Sequence, residues 1–307
     1  MKCRKCGEKG VIKLREYNLI LCAPHFLEFF EGRVASALRR YRLLGRCEKV
    51  LVAVSGGKDS LNTWYVLRKL GFAADGFHID LGIGEHSRRS REKAENFARE
   101  IGGKLAVLEL QKELGYSLPD LVKREGRTPC ATCGLVKRYL MNREALAGGY
   151  PAIATGHNLD DEAATLLSNL LSWSTGYLAR QSPCLPSWHP GLARKIKPLC
   201  EISEKESAAY AALNKIDCID EACSYSKGAT SLFYKDIINQ IELHSPGTKI
   251  RFYREFLAKG RHFFAGERHE EKLVDCPECG LPTTHPPCAY CRLRGRIRAA
   301  EQANAPG

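Results

Sequence analysis

The sequence lacks the long apolar segments of membrane and secreted proteins. No apolar run reaches the ~18 residues that cross a bilayer, and the N-terminal stretch Met1–Cys6 opens no apolar core of a signal peptide. The 14 cysteines are also too sparse for a disulfide scaffold, and many occur in pairs with two residues between, a spacing typical of metal sites in a reducing compartment. We therefore expect a soluble, cytoplasmic protein with no membrane partner.

Acidic residues are the other shortage. Lys and Arg outnumber Asp and Glu by 47 to 35, which gives a net charge of +12 and an isoelectric point near 9.1. This balance suits a polyanionic partner such as a nucleic acid. The length of 307 residues accommodates one α/β domain of about 200 residues together with two small appended modules.

Residues 50–60 form the most informative stretch. Val50–Val54 is an apolar run typical of a strand that is buried on both faces of a parallel sheet, and helical spacing begins at Asp59. Between them, Ser55-Gly-Gly57 lets backbone N–H groups approach an anion at the start of a helix. Because Lys58 is followed by an aspartate rather than by Ser or Thr, the stretch is not a Walker P-loop. It predicts a phosphate-binding loop of another kind.

Each end of the chain carries four potential metal ligands. Such Cys-x2-Cys and Cys-x2-His pairs close a tetrahedron around Zn²⁺ and leave no coordination position for catalysis. For the N-terminal set the alternative is two unrelated surface pairs. We predict two structural zinc sites: Cys3, Cys6, Cys22 and His25 in an N-terminal finger, and Cys276, Cys279, Cys288 and Cys291 in a C-terminal ribbon.

Alternating strands and helices follow the loop. The predicted elements are a strand at Ala73–Ile79, a helix from about Arg88 to Ile101, a strand at Lys104–Leu110 and a helix to about Lys123. This βαβαβ order indicates an α/β fold with a doubly wound, mostly parallel sheet, whose ligands lie at the carboxyl ends of the strands. The backbones of Ala53 and Ile79 are therefore expected beside the bound ligand, and His78 is interpreted as a hydrogen-bonded histidine at the sheet end.

Cys130 and Cys133 form a pair just before a predicted helix. The pair fits a redox dithiol, half of a metal site or two core thiols. Cys223 is the best distant candidate for a third ligand, and three thiolates on a four-iron cluster would leave one iron without a protein ligand. Lys137 lies one helical turn after Cys133 and can face the same site, although a solvated surface lysine is an equally good interpretation.

The predicted strand Pro151–Thr155 ends at Gly156, and a helix through Leu171 follows. Asn158 or Asp160 can cap this helix, and the helix dipole stabilises carboxylates in its first turn. Because the turn lies on the ligand side of the sheet, a carboxylate here can instead hold Mg²⁺ or accept a proton from the attacking group.

Four motifs in combination resemble the TtuA family of tRNA 2-thiouridine synthetases, which includes the cytosolic wobble-uridine thiolases. The first, Ser55-Gly-Gly-Lys-Asp-Ser60, is similar to the PP-loop of ATP pyrophosphatases. The others are His78-Ile-Asp-Leu-Gly-Ile-Gly84, Pro129-Cys-Ala-Thr-Cys-Gly-Leu-Val-Lys-Arg138 and Gly156-His-Asn-Leu-Asp-Asp-Glu-Ala163. The resemblance covers nearly the whole chain. It implies an adenine nucleotide α-hydrolase-like fold in residues 28–270, flanked by zinc fingers in residues 1–27 and 271–307.

The resemblance also implies a reaction, with its cofactors and partners. The C2 oxygen of a tRNA uridine is adenylated by ATP and replaced by sulfur from the thiocarboxylate of a ubiquitin-like carrier protein, with a 4Fe-4S cluster, Mg²⁺ and two Zn²⁺. A T-loop uridine is the first choice of substrate and the wobble uridine the second, and a homodimer is a candidate assembly.

Site residues follow from the same resemblance. It assigns catalysis to Lys137 and Asp161, and the cluster to Cys130, Cys133 and Cys223. The chain departs from the family pattern at Ser224, where proline is expected, so Cys218 is the alternative third ligand. The expected nucleotide-binding residues are Ala53, Ser55, Gly56, Gly57, Lys58, Asp59, Ser60, Ile79 and Gly156.

Two other functions compete with thiolation. A PP-loop ligase that transfers nitrogen leaves Cys130, Cys133 and Cys223 without a role. A non-catalytic zinc-ribbon protein that binds RNA leaves the intact phosphate loop unexplained. The remaining expectations are an irregular loop over residues 173–192 and phosphate contacts from the arginines of the C-terminal tail, Arg292, Arg294, Arg296 and Arg298.

Overall fold

The computed structural model describes residues 1–125, 128–221, 223–226, 230–267 and 272–303. The predicted boundary between residues 270 and 271 lies outside these ranges, as do residues 304–307 of the tail. Among the described residues, no helix combines the length and apolar character needed to span a membrane.

The strands form one large sheet and two hairpins. They are β1 (Ile12–Leu14), β2 (Leu19–Leu21), β3 (Val50–Ala53), β4 (Ala74–Asp80), β5 (Leu105–Glu109), β6 (Ala152–Ala154), β7 (Cys184–Leu185), β8 (Arg194–Ile196), β9 (Val274–Asp275) and β10 (Pro282–Thr283). The large sheet has six strands in the order β5-β4-β3-β6-β8-β7, and only the edge strand β7 is antiparallel. The predicted doubly wound, mostly parallel sheet is confirmed.

Helices cover both faces of this sheet. They are α1 (Ala23–Arg40), α2 (Lys58–Lys69), α3 (Gly84–Glu100), α4 (Leu110–Leu114), α5 (Leu118–Glu125), α6 (Pro129–Ala147), α7 (Leu159–Leu171), α8 (Thr175–Arg180), α9 (Glu204–Leu213), α10 (Thr230–His244), α11 (Thr248–Glu255) and α12 (Ala289–Ala303). Short 3-10 or π turns occupy Arg15–Tyr17, Ser224–Ser226, Phe256–Gly260 and Arg261–Glu267.

The alternation of side chains along β3 divides the core in two. Val50 and Val52 pack with α1, α2, α3 and α9 on one face, whereas Leu51 packs with α5 and α6 on the other. All three side chains are almost completely buried, which is expected for a central strand of a parallel sheet. The arrangement brings the starts of α2, α3 and α7 to the carboxyl edge of the sheet.

Three local predictions need correction. Helix α3 begins at Gly84, four residues before the predicted start. The helix predicted to run on to Lys123 is two helices. Helix α4 ends at Leu114, because the next residue, Gly115, has a φ of +77°, a left-handed conformation that suits glycine and ends a helix. The loop predicted over residues 173–192 contains α8 and the edge strand β7.

The terminal modules pack on opposite parts of the central domain. The hairpin β1–β2 leads directly into α1, whose apolar side belongs to the core of the first sheet face. At the other end, Tyr290 stacks on Tyr139 of α6 with ring centroids 3.7 Å apart and an angle of 6°. The C-terminal module is therefore anchored to the helix that carries Cys130 and Cys133.

Candidate active site

The phosphate loop connects β3 to α2 and is closed by its own side chains. The Ser55 backbone N–H donates to Ser60 Oγ at 3.1 Å, and Ser60 Oγ donates to the Gly57 carbonyl at 2.9 Å. Ser60 is buried, so its hydroxyl holds the shape of the loop. The N-terminus of α2 faces the same side, and the positive end of its helix dipole favours an anion there.

Two glycines allow close approach of neighbouring segments. Gly56 has a φ of +81°, and a Cβ there would lie 2.5 Å from the Ser90 carbonyl oxygen of α3. A Cβ at Gly156 would lie 2.7 Å from the Ser60 backbone nitrogen. Any larger residue at either position would push α3 or the β6–α7 turn away from the loop. The cradle predicted for phosphate is thus a tightly fitted arrangement of three strand-to-helix connections.

Charged side chains surround the start of α2. Lys58 Nζ lies 2.9 Å from Glu204 Oε1 and 3.3 Å from Asp59 Oδ2, and Ser207 Oγ donates to Asp59 Oδ1 at 2.5 Å. Burial lowers the pKa of Lys58, but Asp59 and Glu204 outweigh it and hold that pKa above its ordinary value. Burial raises the pKa of Asp59, against the opposing effects of Lys58 and Ser207.

Asp161 and Asn158 form a reciprocal cap at the start of α7. The Asp161 N–H donates to Asn158 Oδ1 and the Asn158 N–H donates to Asp161 Oδ2, both at 3.1 Å. Asp161 Oδ1 also forms an ion pair with Lys235 Nζ at 2.7 Å. The carboxylate is therefore fixed beside the charges of the phosphate loop. Its neighbour Asp160 is buried and pairs with Lys249 at 2.6 Å.

A cavity of about 350 Å³ opens at the carboxyl ends of β3 and β4. Its walls bring together the residues that sequence reasoning assigned to separate functions: Ala53, Ser55 and Ile79 of the nucleotide set, Cys130, Cys133 and Cys223 of the cluster set, and Lys137. Burial raises the pKa of the Cys133 thiol, and the nearby Lys137 ammonium opposes that shift. The expected alignment of Lys137 with the cysteine pair is thus present in the structure.

His78 also lines this cavity and matches its predicted interpretation only in part. Its Nδ1 bonds the Val54 carbonyl at 2.8 Å, but Nε2 is buried and has no hydrogen-bond partner among the described residues. Burial lowers the pKa of the ring, so the neutral form is favoured.

The segment before Cys223 is tied to both the phosphate loop and α3. The Ile219 N–H donates to the Gly56 carbonyl at 2.9 Å, and Lys93 and Arg89 of α3 pair with Asp217 and Glu221 at 2.6 and 2.5 Å. These contacts hold the third candidate thiol against the cavity.

Cys218, the alternative third ligand, lies elsewhere. It is not among the described residues that line the cavity, and its thiol lies 3.7 Å from Asp220 Oδ1. Cys130 Sγ, in contrast, lies 3.8 Å from the carbonyl of Tyr225, two residues after Cys223. The geometry therefore favours Cys223 as the partner of the pair.

The three cavity thiols and the two terminal ligand sets differ in spacing. In each terminal set, all four ligand atoms lie within 4.8 Å of one another, as a single tetrahedral ion requires; among the described residues, Cys130, Cys133 and Cys223 do not form such a set. Wider spacing suits a cluster, in which each thiolate binds a different iron. The donor set of the cavity fits a cluster and those of the ends fit Zn²⁺.

We call the terminal sets the N-terminal tetrad (Cys3, Cys6, Cys22 and His25) and the C-terminal tetrad (Cys276, Cys279, Cys288 and Cys291). His25 presents Nδ1, which lies 3.1 Å from Cys22 Sγ. Backbone N–H groups donate to Cys276 Sγ and Cys288 Sγ at 3.2 and 3.4 Å, contacts that stabilise thiolates.

The sequence did not predict four of the residues that surround the phosphate loop and the start of α7. Glu204, Ser207, Lys235 and Lys249 belong to no motif, and they reach Lys58, Asp59, Asp160 and Asp161 only through the tertiary fold. A weak signal existed for Glu204, because Ser203-Glu-Lys-Glu206 is a capping box at the start of α9. Two tail arginines predicted to contact phosphate are engaged locally, Arg292 with the His285 carbonyl and Arg294 with Glu278.

The chain is similar to proteins of known family. Residues 2–27 match the N-terminal LIM domain of 2-thiouridine synthetase TtuA, and residues 31–228 match the PP-loop domain. The tRNA-5-methyluridine(54) 2-sulfurtransferase of Thermus thermophilus is 47% identical over 95% of this chain and 91% of its own. The protein of the same name from Pyrococcus horikoshii is 43% identical over 96% of this chain and 94% of its own.

A solved structure has the same fold. The U34-tRNA thiolase NcsA from Methanococcus maripaludis, with its 4Fe-4S cluster, superposes with a TM-score of 0.80 at 26% identity, covering 96% of both chains.

Proposed function

The chain belongs to the TtuA family of PP-loop tRNA 2-sulfurtransferases, and on this premise we propose that it adenylates the C2 oxygen of a tRNA uridine with ATP and replaces that oxygen with sulfur. The observation that carries the proposal is the shared cavity, whose walls combine the ends of β3 and β4 with three thiols and Lys137. A nitrogen-transferring ligase or a non-catalytic RNA-binding protein needs no such combination.

ATP is proposed to bind across the carboxyl edge of the sheet. Backbone groups of Ala53 and Ile79 lie where they can read the adenine, and the loop of residues 55–60 with Gly156 takes the phosphates. Lys58 neutralises the negative charge that develops when the bond between the α- and β-phosphates of ATP breaks. The carboxylates of Asp59 and Asp161 are the candidate ligands of Mg²⁺, which would offset the charge of the phosphates.

The chemical steps balance without an external oxidant or reductant. The uridine C2 oxygen attacks the α-phosphorus, the bond to the β-phosphate oxygen breaks, and pyrophosphate leaves while the N3 proton is lost. Hydrolysis of the carrier protein's thiocarboxylate breaks its C–S bond, releases hydrosulfide and leaves a carboxylate. The hydrosulfide adds to C2, the C2–O bond breaks to release AMP, and the hydrosulfide proton passes to N3. Lys137 stabilises the charge on the α-phosphate and on the leaving AMP, and Asp161 orients the base or accepts its N3 proton.

Cys130, Cys133 and Cys223 are proposed to hold a 4Fe-4S cluster. When bound, such a cluster supplies an iron without a protein ligand, to which sulfur can attach. The two tetrads are proposed to hold Zn²⁺ and to stabilise the terminal modules, since four protein ligands leave no open position. The paired thiols suit a reducing compartment, which supports a cytoplasmic location.

The proposed substrate is the T-loop uridine, position 54. Three relatives above 40% identity carry that position in their names. A wobble uridine is the second candidate, because the solved thiolase of the same fold is named for position 34. The sulfur donor is proposed to be a ubiquitin-like carrier protein with a C-terminal thiocarboxylate, and a homodimer is the proposed assembly.

The test is thiolation of a whole tRNA pool by anaerobically reconstituted protein, with ATP and with either sulfide or a thiocarboxylated carrier. Mass spectrometry of digested tRNA identifies the modified position. Sulfur at the T-loop uridine that depends on ATP is expected. Sulfur only at the wobble position would select the second candidate, and transfer of nitrogen or no modification would overturn the proposal.

A further inference from the structure

Glu204 holds two lysine ammonium groups together beside the phosphate loop. Its Oε1 lies 2.9 Å from Lys58 Nζ and its Oε2 lies 3.1 Å from Lys235 Nζ. Lys58 begins α2, whereas Lys235 lies on α10 and belongs to none of the sequence motifs. Two ammonium groups that contact the same carboxylate would repel each other if that anion were absent. Glu204 supplies that anion in the structure.

Glu204 is placed so that its side chain can leave while its backbone stays. Its N–H donates to the buried Asp160 Oδ2 at 2.9 Å, but its side chain is 38% exposed. The side chains of Lys58 and Lys235 are 25% and 19% exposed, so an anion from solution can reach both. The neighbouring pair of Lys249 with Asp160 is different, because the lysine is 7% and the aspartate 3% exposed.

A phosphate group offers the same pattern of acceptors as this carboxylate, with two oxygens on one centre and a full negative charge. We propose that Lys235 joins Lys58 in a clamp for the β- and γ-phosphates of the bound nucleotide and for the pyrophosphate that leaves, and that Glu204 occupies the clamp when no phosphate is bound. The clamp rests on the proposed function, since it requires ATP at the loop of residues 55–60.

Asp161 gives Lys235 a fixed position. Lys235 Nζ keeps its 2.7 Å ion pair with Asp161 Oδ1 on one side while it faces Glu204 on the other. Since Asp161 is itself held by the Asn158 cap, Lys235 stays at the loop when Glu204 moves away. The lysine therefore acts on substrate phosphate directly, as well as through its contact with Asp161.

The test is titration calorimetry of the full chain with ATP, pyrophosphate and AMP, the last two without divalent cations. A charge-assisted contact of this kind contributes about tenfold in affinity. Lys235→Met is expected to weaken ATP and pyrophosphate binding by at least about that factor and to leave AMP binding unchanged, while Lys235→Arg restores most of the affinity. Glu204→Gln is expected to tighten pyrophosphate binding, because it removes the anion that competes for the clamp.

Lys197→Met is the matched control. Lys197 has the same side-chain exposure as Lys235, 19%, and pairs at 2.6 Å with Glu162, the residue after Asp161. This variant should bind pyrophosphate as the parent does. Unchanged pyrophosphate affinity in Lys235→Met, or weaker pyrophosphate binding in Glu204→Gln, would overturn the clamp. If the parent chain itself binds neither ATP nor pyrophosphate, the proposed function fails, and the clamp fails with it.

Discussion

The two tetrads and the three-thiol cavity use the same ligand type in opposite ways. Each tetrad draws its ligands from two turns close in sequence and packs all four ligand atoms within 4.8 Å. The cavity draws Cys130 and Cys133 from α6 and Cys223 from a segment nearly a hundred residues later, and all three thiols line an open volume of about 350 Å³. A closed set can stabilise a fold, whereas an incomplete set beside an open volume can also take part in a reaction.

The C-terminal tetrad and the three-thiol cavity also differ in what surrounds them. The C-terminal tetrad is largely buried against α6, with Tyr290 stacked on Tyr139. The cavity thiols instead lie beside Lys137. One of them, Cys223, follows a segment that is hydrogen-bonded to the phosphate loop through Ile219 and Gly56. Metal at the ends should therefore affect stability, and metal at the centre should affect chemistry.

The largest effect is expected from breaking a tetrad. Cys276→Ala should lower the zinc content from about two to about one per chain and unfold the C-terminal module, since metal binding in such sites supplies about 10–16 kcal/mol of folding free energy. Metal analysis and limited proteolysis measure both. Iron content should stay unchanged, because the cavity has its own ligands. Full zinc retention would show that the set is not a zinc site.

Next in size is the loss of a cavity thiol. Cys130→Ala, Cys133→Ala and Cys223→Ala should each abolish iron binding and thiolation while ATP binding and zinc content persist, because the phosphate loop is built from other residues. Cys47→Ala, at an exposed cysteine outside every site, is the control. If Cys223→Ala keeps its iron and Cys218→Ala loses it, the third ligand of the cluster is Cys218 rather than Cys223.

Lys137 and Asp161 should contribute to rate and little to folding. Loss of a positioned charge stabiliser or proton acceptor costs about 10²- to 10⁴-fold in rate, which corresponds to about 3–5 kcal/mol. For Lys137, the single-turnover thiolation rate of the Lys137→Ala variant measures this loss. For Asp161, the Asn variant keeps an acceptor for the Asn158 N–H, whereas the Ala variant also loses the cap, at about 1 kcal/mol of stability.

Equal turnover in either Lys137→Ala or Asp161→Asn would assign that residue to the surface or to the cap alone. Iron content and melting temperature are measured in parallel, so that loss of the cluster is not mistaken for loss of a catalytic group.

The smallest effect concerns the packing of the C-terminal module on α6. Tyr290→Leu should lower the free energy of unfolding by about 1 kcal/mol, since an aromatic stack contributes about 0.5–1.5 kcal/mol beyond its buried area. Tyr290→Phe is the control and should be close to neutral, because the buried hydroxyl has no partner among the described residues. Chemical denaturation measures both variants. A larger loss in the Phe variant would contradict the stacking explanation.

The features that sequence reasoning predicted correctly depend on local patterns. A Val-rich run, a glycine pair and a helix start predicted β3, the loop and α2, and residue spacing predicted both sets of four side chains that lie close enough to hold a metal ion. The helix break at Gly115 and the short strand β7 were missed because turn geometry and edge pairing leave little trace over a few residues.

Long-range ion pairs were beyond sequence reasoning for a different reason. Lys58 meets Glu204, and Asp161 meets Lys235, only after the sheet and its helices are packed. A single lysine or glutamate on a helix gives no sign of its partner, because a solvated charge has the same sequence pattern. The same limit applied to the choice between Cys223 and Cys218 as the third ligand. The cavity geometry favours Cys223, because Cys223 lines the cavity.

The most direct test of the central proposal combines iron content with a single-turnover assay. Protein purified without oxygen should contain about four iron atoms per chain, and it should convert the C2 oxygen of a tRNA uridine to sulfur only when ATP is present, with AMP and pyrophosphate formed in step. Removal of iron by a chelator that leaves the zinc in place should abolish sulfur transfer. Undiminished thiolation by the iron-free protein, or thiolation without ATP, would contradict a reaction that joins the phosphate loop to the three-thiol cavity.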